Sequence, residues 1–455
     1  MSGWGIGSAT DRFHTTPPFG IGLAEGRWFF YMKAQSVRRQ AALLACANAL
    51  VRGLGFALRV ALSRLLGAEA LGIMELSHSA HMLSITPVTA GLPAAVSRLT
   101  ALRRDAAPLR AGRDAALRMS AVLLPLWVLL CPLMARLLGD ARTLPPLWAF
   151  APCIPVLGLS AVYHGYCYGR GLAWPPALGT LMEQALRFVL SALPLALLPG
   201  LSVSLRAAVP ALATALAEGA ALLLILVLLR RAGLETRAAA DPALRGEVLR
   251  LSAPLTGARL MQTLSRSLMA ALLPRLLLRG GSTPGEAAAA VGMLQGMVLP
   301  VLFLPGIFTG AVGVVGTPAI AGRRGAARRQ TVRGLLAASL ACGILGGSAV
   351  YGLAGFLAGG VYGVPELAGL FRAAAPLTLL FALGQAAGTL LSGLGLQRRM
   401  LLPAMLGTAL TVALLCRWAP VLGIYGGVYA LMLGQAVTLL LQFAAALPAL
   451  NGERP

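Results

Sequence analysis

The sequence is poor in charge and poorer still in negative charge. Only 12% of its 455 residues are Asp, Glu, Lys or Arg, and 15 are acidic. A soluble domain carries about 25% charged residues, so an ordinary water-facing surface is excluded. Lysine is almost missing: Lys33 stands alone among the basic residues, and the others are arginine. Six cysteines fall singly, with no CxxC pair, which excludes a disulfide framework and a thiolate metal site. His14, His78, His81 and His164 have no HExxH spacing, and no GxxxxGK[ST] loop, nucleophile elbow or triad spacing occurs. An ATP-driven pump and a hydrolase therefore have no chemistry here, and the chain is expected to be neither an enzyme nor a cofactor protein.

What is there is apolar length. Hydrophobic residues make up 58% of the chain and mean hydropathy is +0.78. Runs of about 20 apolar residues match the roughly 30 Å of hydrocarbon that a helix must cross. They predict an all-α membrane protein of about twelve transmembrane helices, near 41–63, 71–97, 116–138, 144–168, 175–199, 206–229, 249–278, 286–316, 331–358, 367–395, 400–419 and 422–447. Residues 1–31 are rich in Gly and Pro and lack the basic and apolar regions of a signal peptide. They are expected to be poorly ordered, with Met32 an alternative start.

The formal net charge of +23 could point to nucleic acid, but the arginines gather in loops between apolar runs. Alternate loops carry the excess, at 98–118, 230–250 and 323–333, while the opposite loops hold isolated arginines. The excess marks cytoplasmic loops, so no nucleic acid is expected as a partner. The protein should sit in the bacterial cytoplasmic (inner) membrane with both termini cytoplasmic. The hydrophilic stretch 231–248 reads as a cytoplasmic linker between a six-helix lobe at 32–230 and another at 249–447, with a short tail at 448–455. SRLLGAEALG after the first helix and PRLLLRGGSTPGEA after the seventh support a duplication, and duplicated bundles place substrates between their halves.

Ionisable residues inside apolar runs are costly and face a cavity or a partner. Asn48, Arg52 and Arg59 lie four and seven apart on one face of the first helix, beside Gly53 and Gly55, which leave room for close approach. Arg259 and Arg266, also seven apart, share a face of the seventh helix about 10 Å apart along its axis. Guanidinium forks bind phosphate bidentately and keep their charge, so these residues are candidates to bind an anionic substrate. Each could equally snorkel to an interface or bond to fixed neighbours. Glu183 and Arg187 stand four apart in the order that favours a pair along their own helix; they could also line the cavity, opening for phosphate. Glu75 and Glu218 are the remaining intramembrane acids.

The segments RGLGFALRVALSRLLGAEALGIMEL, TAGLPAAVSRLTA, HGYCYGRGLAWPPALGTLMEQALRFV and APLTGARL through GMLQGMVLPVLFLPGIFTGAVGVVGTPAIA together resemble the polysaccharide-export and stage V sporulation protein B branch of the multidrug/oligosaccharidyl-lipid/polysaccharide (MOP) exporter superfamily, which is related to lipid II flippases. The resemblance implies a V-shaped, MATE-like pair of lobes. It also implies alternating access and a polyprenyl-pyrophosphate-linked sugar as substrate, with Arg52 and Arg59 matching first-helix arginines of the flippases. Two departures stand out. No acid lies between Glu247 and Glu286, where relatives carry one midway along the seventh helix, so a coupling cation there is in doubt. The chain ends after about twelve helices where many relatives have fourteen, so a groove for the lipid tail is expected to be missing.

The expected activity is flipping of an undecaprenyl-pyrophosphate-linked peptidoglycan or polysaccharide precursor from the bilayer, aided by a coupling cation or the membrane potential. The rivals are a cation-coupled multidrug exporter of the same superfamily and a non-transporting scaffold in envelope or spore assembly.

Overall fold

The structure is a computed structural model that describes residues 37–103, 105–234, 239 and 241–451. The N-terminal extension 1–31 and the end of the tail lie outside the described residues, as do the side chains of Asn48 and Gln262. Residues 1–43 form one unit and Leu44–Pro455 another; the fold and the cavities described here belong to the second.

The described residues are helical throughout, with no strand. In chain order the helices are α1 Val37–Thr89, α2 Leu92–Arg103, α3 Ala107–Leu138, α4 Leu144–Ala149, α5 Cys153–Gly169, α6 Trp174–Leu197, α7 Val203–Arg231 and α8 Pro242–Arg279. They continue as α9 Pro284–Val291, α10 Leu299–Leu302, α11 Gly306–Gly322, α12 Gly325–Gly352, α13 Leu367–Ala374, α14 Pro376–Gly393, α15 Leu401–Leu422 and α16 Ile424–Asn451. Each predicted run coincides with one helix or a consecutive series. The continuous helix α1 is two limbs meeting at Gly67, whose φ of 76° suits glycine. The run 144–168 bends by 42° between α4 and α5, and 286–316 passes through a π-helical turn at Gly292–Val298.

Among the described residues, eight helices, or nine counting the bent pair, have the length and hydropathy to cross a bilayer. The predicted runs outside this set are 41–63, whose first side chains lie outside the described residues, 71–97 and 249–278. These carry Arg52, Arg59, Glu75, Arg259 and Arg266. All five line the cavity described below.

Two boundaries differ from expectation. The linker is shorter than 231–248, because Asp241 caps α8 by accepting from the Leu244 N–H at 3.0 Å, and Pro242 suits the first turn. The last helix continues to Asn451, into the expected tail.

Packing differs at the two ends of the bundle. One hydrophobic core runs through both halves of the chain, from Leu58 and Leu71 through Leu138, Leu273 and Val291 to Phe371 and Val428. At the other end, where the arginine-rich loops lie, there are two separate cores. One joins α2, α3, α5, α7 and the start of α8 through Leu92, Tyr166, Ile225 and Val248. The other joins α11, α12, α14 and α16 through Ile320, Leu335, Leu390 and Ala446. The start of α8 thus packs with the first half of the chain, so packing and sequence divide the protein at different places.

The shared core is locked by glycine. A Cβ on Gly72 would stand 1.7 Å from the Ala288 carbonyl oxygen, and one on Gly292 would stand 2.1 Å from that of Ala68. The two helix starts after the duplicated segments therefore touch backbone to backbone. Arg64 donates to the carbonyls of Val361, at 2.7 Å, and Gly360. Arg142 bridges Asp140 at 2.8 Å and Glu69 at 2.5 Å beside this contact.

Candidate functional site

Against the shared core, at Leu58, Leu71, Leu273 and Leu294, lies a cavity of about 1630 Å³. Its walls come from both limbs of α1, from α6 and α8, from the π-helical turn and from α15 and α16. The second limb of α1 turns one stripe to it, Met74, Glu75, His78, Met82, Thr86 and Thr89, at intervals of three and four.

Arg52, Arg59, Arg187, Arg259 and Arg266 all line this space. Five guanidinium groups would repel one another without compensation. Two are paired: Arg59 Nη1 lies 3.0 Å from Glu75 Oε1, and Arg187 binds Glu183 one turn back along α6. Glu75 is only 6% exposed, so it is an internal counter-ion rather than an interfacial acid. Glu183 acts as the partner of Arg187 and is absent from the lining. Among the described residues, the guanidinium groups of Arg52, Arg259 and Arg266 have no hydrogen bond or ion pair, and all three residues are exposed to the cavity. Asn48 lies on the same limb, its side chain outside the described residues.

The glycines beside Arg52 leave room beside the helix. A Cβ on Gly53 would meet nothing within 4 Å, and one on Gly55 would touch Gln184 Oε1 at 3.6 Å. No neighbouring backbone approaches either, and Gly55 lines the cavity. Tight glycine contacts occur instead at the closed end and between α15 and α16, where Gly407 and Gly434 face Thr438 and Thr411.

Sequence reasoning missed the polar complement of the arginines. Gln184, Gln295 and Gln435 line the cavity, and Thr86 Oγ1 lies 3.2 Å from Thr263 Oγ1 across it. His78 lines it too, its ring 5.7 Å from that of Phe150. The helical spacing of Glu75, His78 and Thr86 carried the signal for this face. Gln295 stands three residues beyond Gly292, as Glu75 stands three beyond Gly72.

Arginine-lined space enclosed by apolar membrane helices, with two halves joined at one end and parted at the other, is the form of a multi-pass membrane transporter. The chain belongs to the polysaccharide biosynthesis protein family, whose profile matches residues 37–322. It is 27% identical over 434 residues to stage V sporulation protein B of Bacillus subtilis (strain 168), covering 91% of this chain and 84% of that protein. Among solved structures, it resembles the inward-facing conformation of a multidrug resistance MATE family transporter of the MOP superfamily, with a TM-score of 0.67 at 17% identity, over 88% of this chain and 95% of that one. A MOP superfamily transporter from Pyrococcus furiosus, described as having a binding pocket of reverse polarity that suggests a different function, matches with a TM-score of 0.60 at 15% identity, over 91% and 96%. These two likenesses establish the MATE fold.

Proposed function

We propose that the protein is an alternating-access flippase or exporter of an undecaprenyl-pyrophosphate-linked peptidoglycan or polysaccharide precursor in the bacterial inner membrane, working without covalent catalysis. One observation carries the reading: Arg52, Arg259 and Arg266 present unpaired guanidinium groups to one cavity between membrane helices. A cation without a partner among membrane helices is costly, and a pyrophosphate offers the bidentate oxygens that guanidinium forks hold best. Arg59 and Arg187 remain neutralised by Glu75 and Glu183 until the anion arrives, while the lipid tail stays in the bilayer. The six-helix lobes 32–230 and 249–447 rock about the core they share. With the arginine-rich loops and both termini in the cytoplasm, the cavity loads from that side. The membrane potential, worth about 2.3 kcal/mol per charge per 100 mV, helps return the empty cationic cavity, and a coupling cation at the internal acids is a second source of drive.

The cation-coupled multidrug exporter is disfavoured by the same geometry, because both acids next to the arginines, Glu75 and Glu183, are already paired. Thermal stabilisation of the purified protein tests this: undecaprenyl pyrophosphate should raise the melting temperature and a cationic dye such as rhodamine 6G should not. Arg266→Ala and Arg52→Ala should each abolish the lipid's effect while the protein remains folded. Stabilisation by the dye alone would overturn the assignment, and stabilisation by neither would favour the scaffold.

A further inference from the structure

A second cavity, of about 610 Å³, opens from the first and runs among α11, α14 and α16. The two share Arg266, Phe303, Phe381 and Gln435. Its volume falls in the roughly 300–1,000 Å³ range of small-molecule sites, but its lining is unlike an apolar drug pocket. Past Arg266 there is no charged residue among those lining it. Instead, Gln385, Thr389 and Ser392 come from one face of α14, at intervals of four and three, and Gln435 and Gln442 from one face of α16, seven apart. Among the described residues none of the three glutamine amides has a hydrogen-bond partner. Thr378, only 1% exposed, lies in the same wall with its Oγ1 unpaired.

Polar groups without partners among membrane helices are expensive, and here the three amides and the Thr378 hydroxyl converge on one space, while the Thr389 hydroxyl donates to the Gln385 carbonyl at 3.0 Å. The space is made by glycine: Gly306, Gly310 and Gly313 lie along one face of α11, and a Cβ on Gly310 would meet nothing within 4 Å. At the mouth, Phe303 and Phe381 stack with centroids 4.4 Å apart, and Phe303 is half exposed. A neutral surface of donors and acceptors beside an aromatic platform suits a pyranose, whose C–H face packs on a ring while its hydroxyls need both donors and acceptors.

We infer that this side cavity holds the uncharged sugar of the lipid-linked precursor, with Arg266 at its mouth taking the pyrophosphate to which the sugar is joined. The inference rests on the flippase reading and adds to it a headgroup pocket confined to the second half of the chain. Gln385 and Gln442 line only the side cavity, so they should act on the sugar alone.

The test is equilibrium binding to the purified full-length protein in detergent, using farnesyl pyrophosphate and the same lipid carrying glucose or N-acetylglucosamine. At least one sugar-bearing probe should bind about tenfold tighter than the sugar-free lipid, the equivalent of one or two net hydrogen bonds. Gln385→Met and Gln442→Met, near in shape but unable to donate, should remove most of that increment and leave sugar-free binding within about twofold. Gly310→Leu should do the same by filling the space, and Arg266→Ala should weaken all the probes. Melting temperatures identify any variant that fails to fold, and the native comparison of probes stands without the variants. Equal binding of sugar-bearing and sugar-free lipid by the native protein would overturn the headgroup pocket while sparing the pyrophosphate site, as would an increment that survives in every folded side-cavity variant. Failure of the sugar-free lipid to bind at all would instead sink the flippase reading, and the pocket assignment with it.

Discussion

Substituting Gly72 by alanine puts one methyl group where the structure has no room for it. The new Cβ would sit 1.7 Å from the Ala288 carbonyl oxygen and 3.0 Å from the Gly292 backbone nitrogen, whereas ordinary contact begins at 3.4 Å. Both obstacles are helical backbone, so no rotamer relieves the clash, and the two helices must part by about 1.7 Å, the shortfall from 3.4 Å. Overpacking of this kind costs about 1–3 kcal/mol or more. At 1.4 kcal/mol per factor of ten, the closed arrangement loses about 5-fold to 150-fold in its equilibrium constant against an arrangement parted at this end. Spin labels at Leu198 and Val421, both exposed at the closed end, in a variant lacking the six cysteines, report the change by double electron–electron resonance. Gly72→Ala should add a longer distance population. The control is Gly219→Ala, where a Cβ meets nothing within 4 Å, and the distribution should stay unchanged. A folded Gly72→Ala protein with the unsubstituted distribution would refute the idea that this glycine contact holds the end shut.

Two further outcomes follow from single contacts. Glu75→Gln removes the counter-ion of Arg59; since that arginine is partly exposed, the gain in farnesyl pyrophosphate affinity should reach no more than about fivefold, near the 1 kcal/mol ceiling of such pairs, and calorimetric titration should show it shrinking as salt is added. Asp241→Ala deletes the cap on α8 and should cost about 1 kcal/mol, read as a lower melting temperature, while Asp241→Asn should retain most of it.

Much of this architecture was legible in the sequence, and the parts that were not share a cause. Apolar length and the alternation of arginines located the helices because the bilayer imposes both. The first and seventh helices could also be read as unusual, since each carries two arginines seven apart inside an apolar run, and the second carries Glu75 and His78. Pairing was the harder matter. Nothing in the spacing of Arg59 and Glu75, sixteen residues apart across the break at Gly67, announces that they meet, whereas Glu183 and Arg187 on one helix turn do. Glycine is equally hard to place: Gly53 and Gly55 leave room for a backbone or a headgroup, whereas the backbone contact falls at Gly72 and Gly292, which meet across 220 positions of sequence. The side cavity was invisible because glutamines and threonines spread over α14 and α16 look like ordinary polar interruptions until three helices bring them together.

The duplication accounts for where the free positive charge ends up, and yields the sharpest test of it. Gly72 and Gly292 occupy equivalent places, since each packs against the residue four before the other. Three residues on from them stand Glu75 and Gln295, both lining the main cavity. Each half also turns two arginines, seven residues apart, to this cavity: Arg52 and Arg59 from the first, Arg259 and Arg266 from the second. In the first half Arg59 is paired with Glu75, whereas the second half has the uncharged Gln295 at the place that Glu75 takes after its glycine, and its cavity arginines are unpaired among the described residues. On this argument Gln295→Glu gives Arg266 the partner that Arg59 already has. A pyrophosphate must then displace a carboxylate, and farnesyl pyrophosphate should bind about fivefold to tenfold more weakly, the loss expected for about 1–1.4 kcal/mol of competing ion pair. Gln295→Met, which changes no charge, should leave binding near the native value. If Gln295→Glu binds the lipid as tightly as the native protein, Arg266 does not owe its availability to the missing acid, and the two halves differ for another reason.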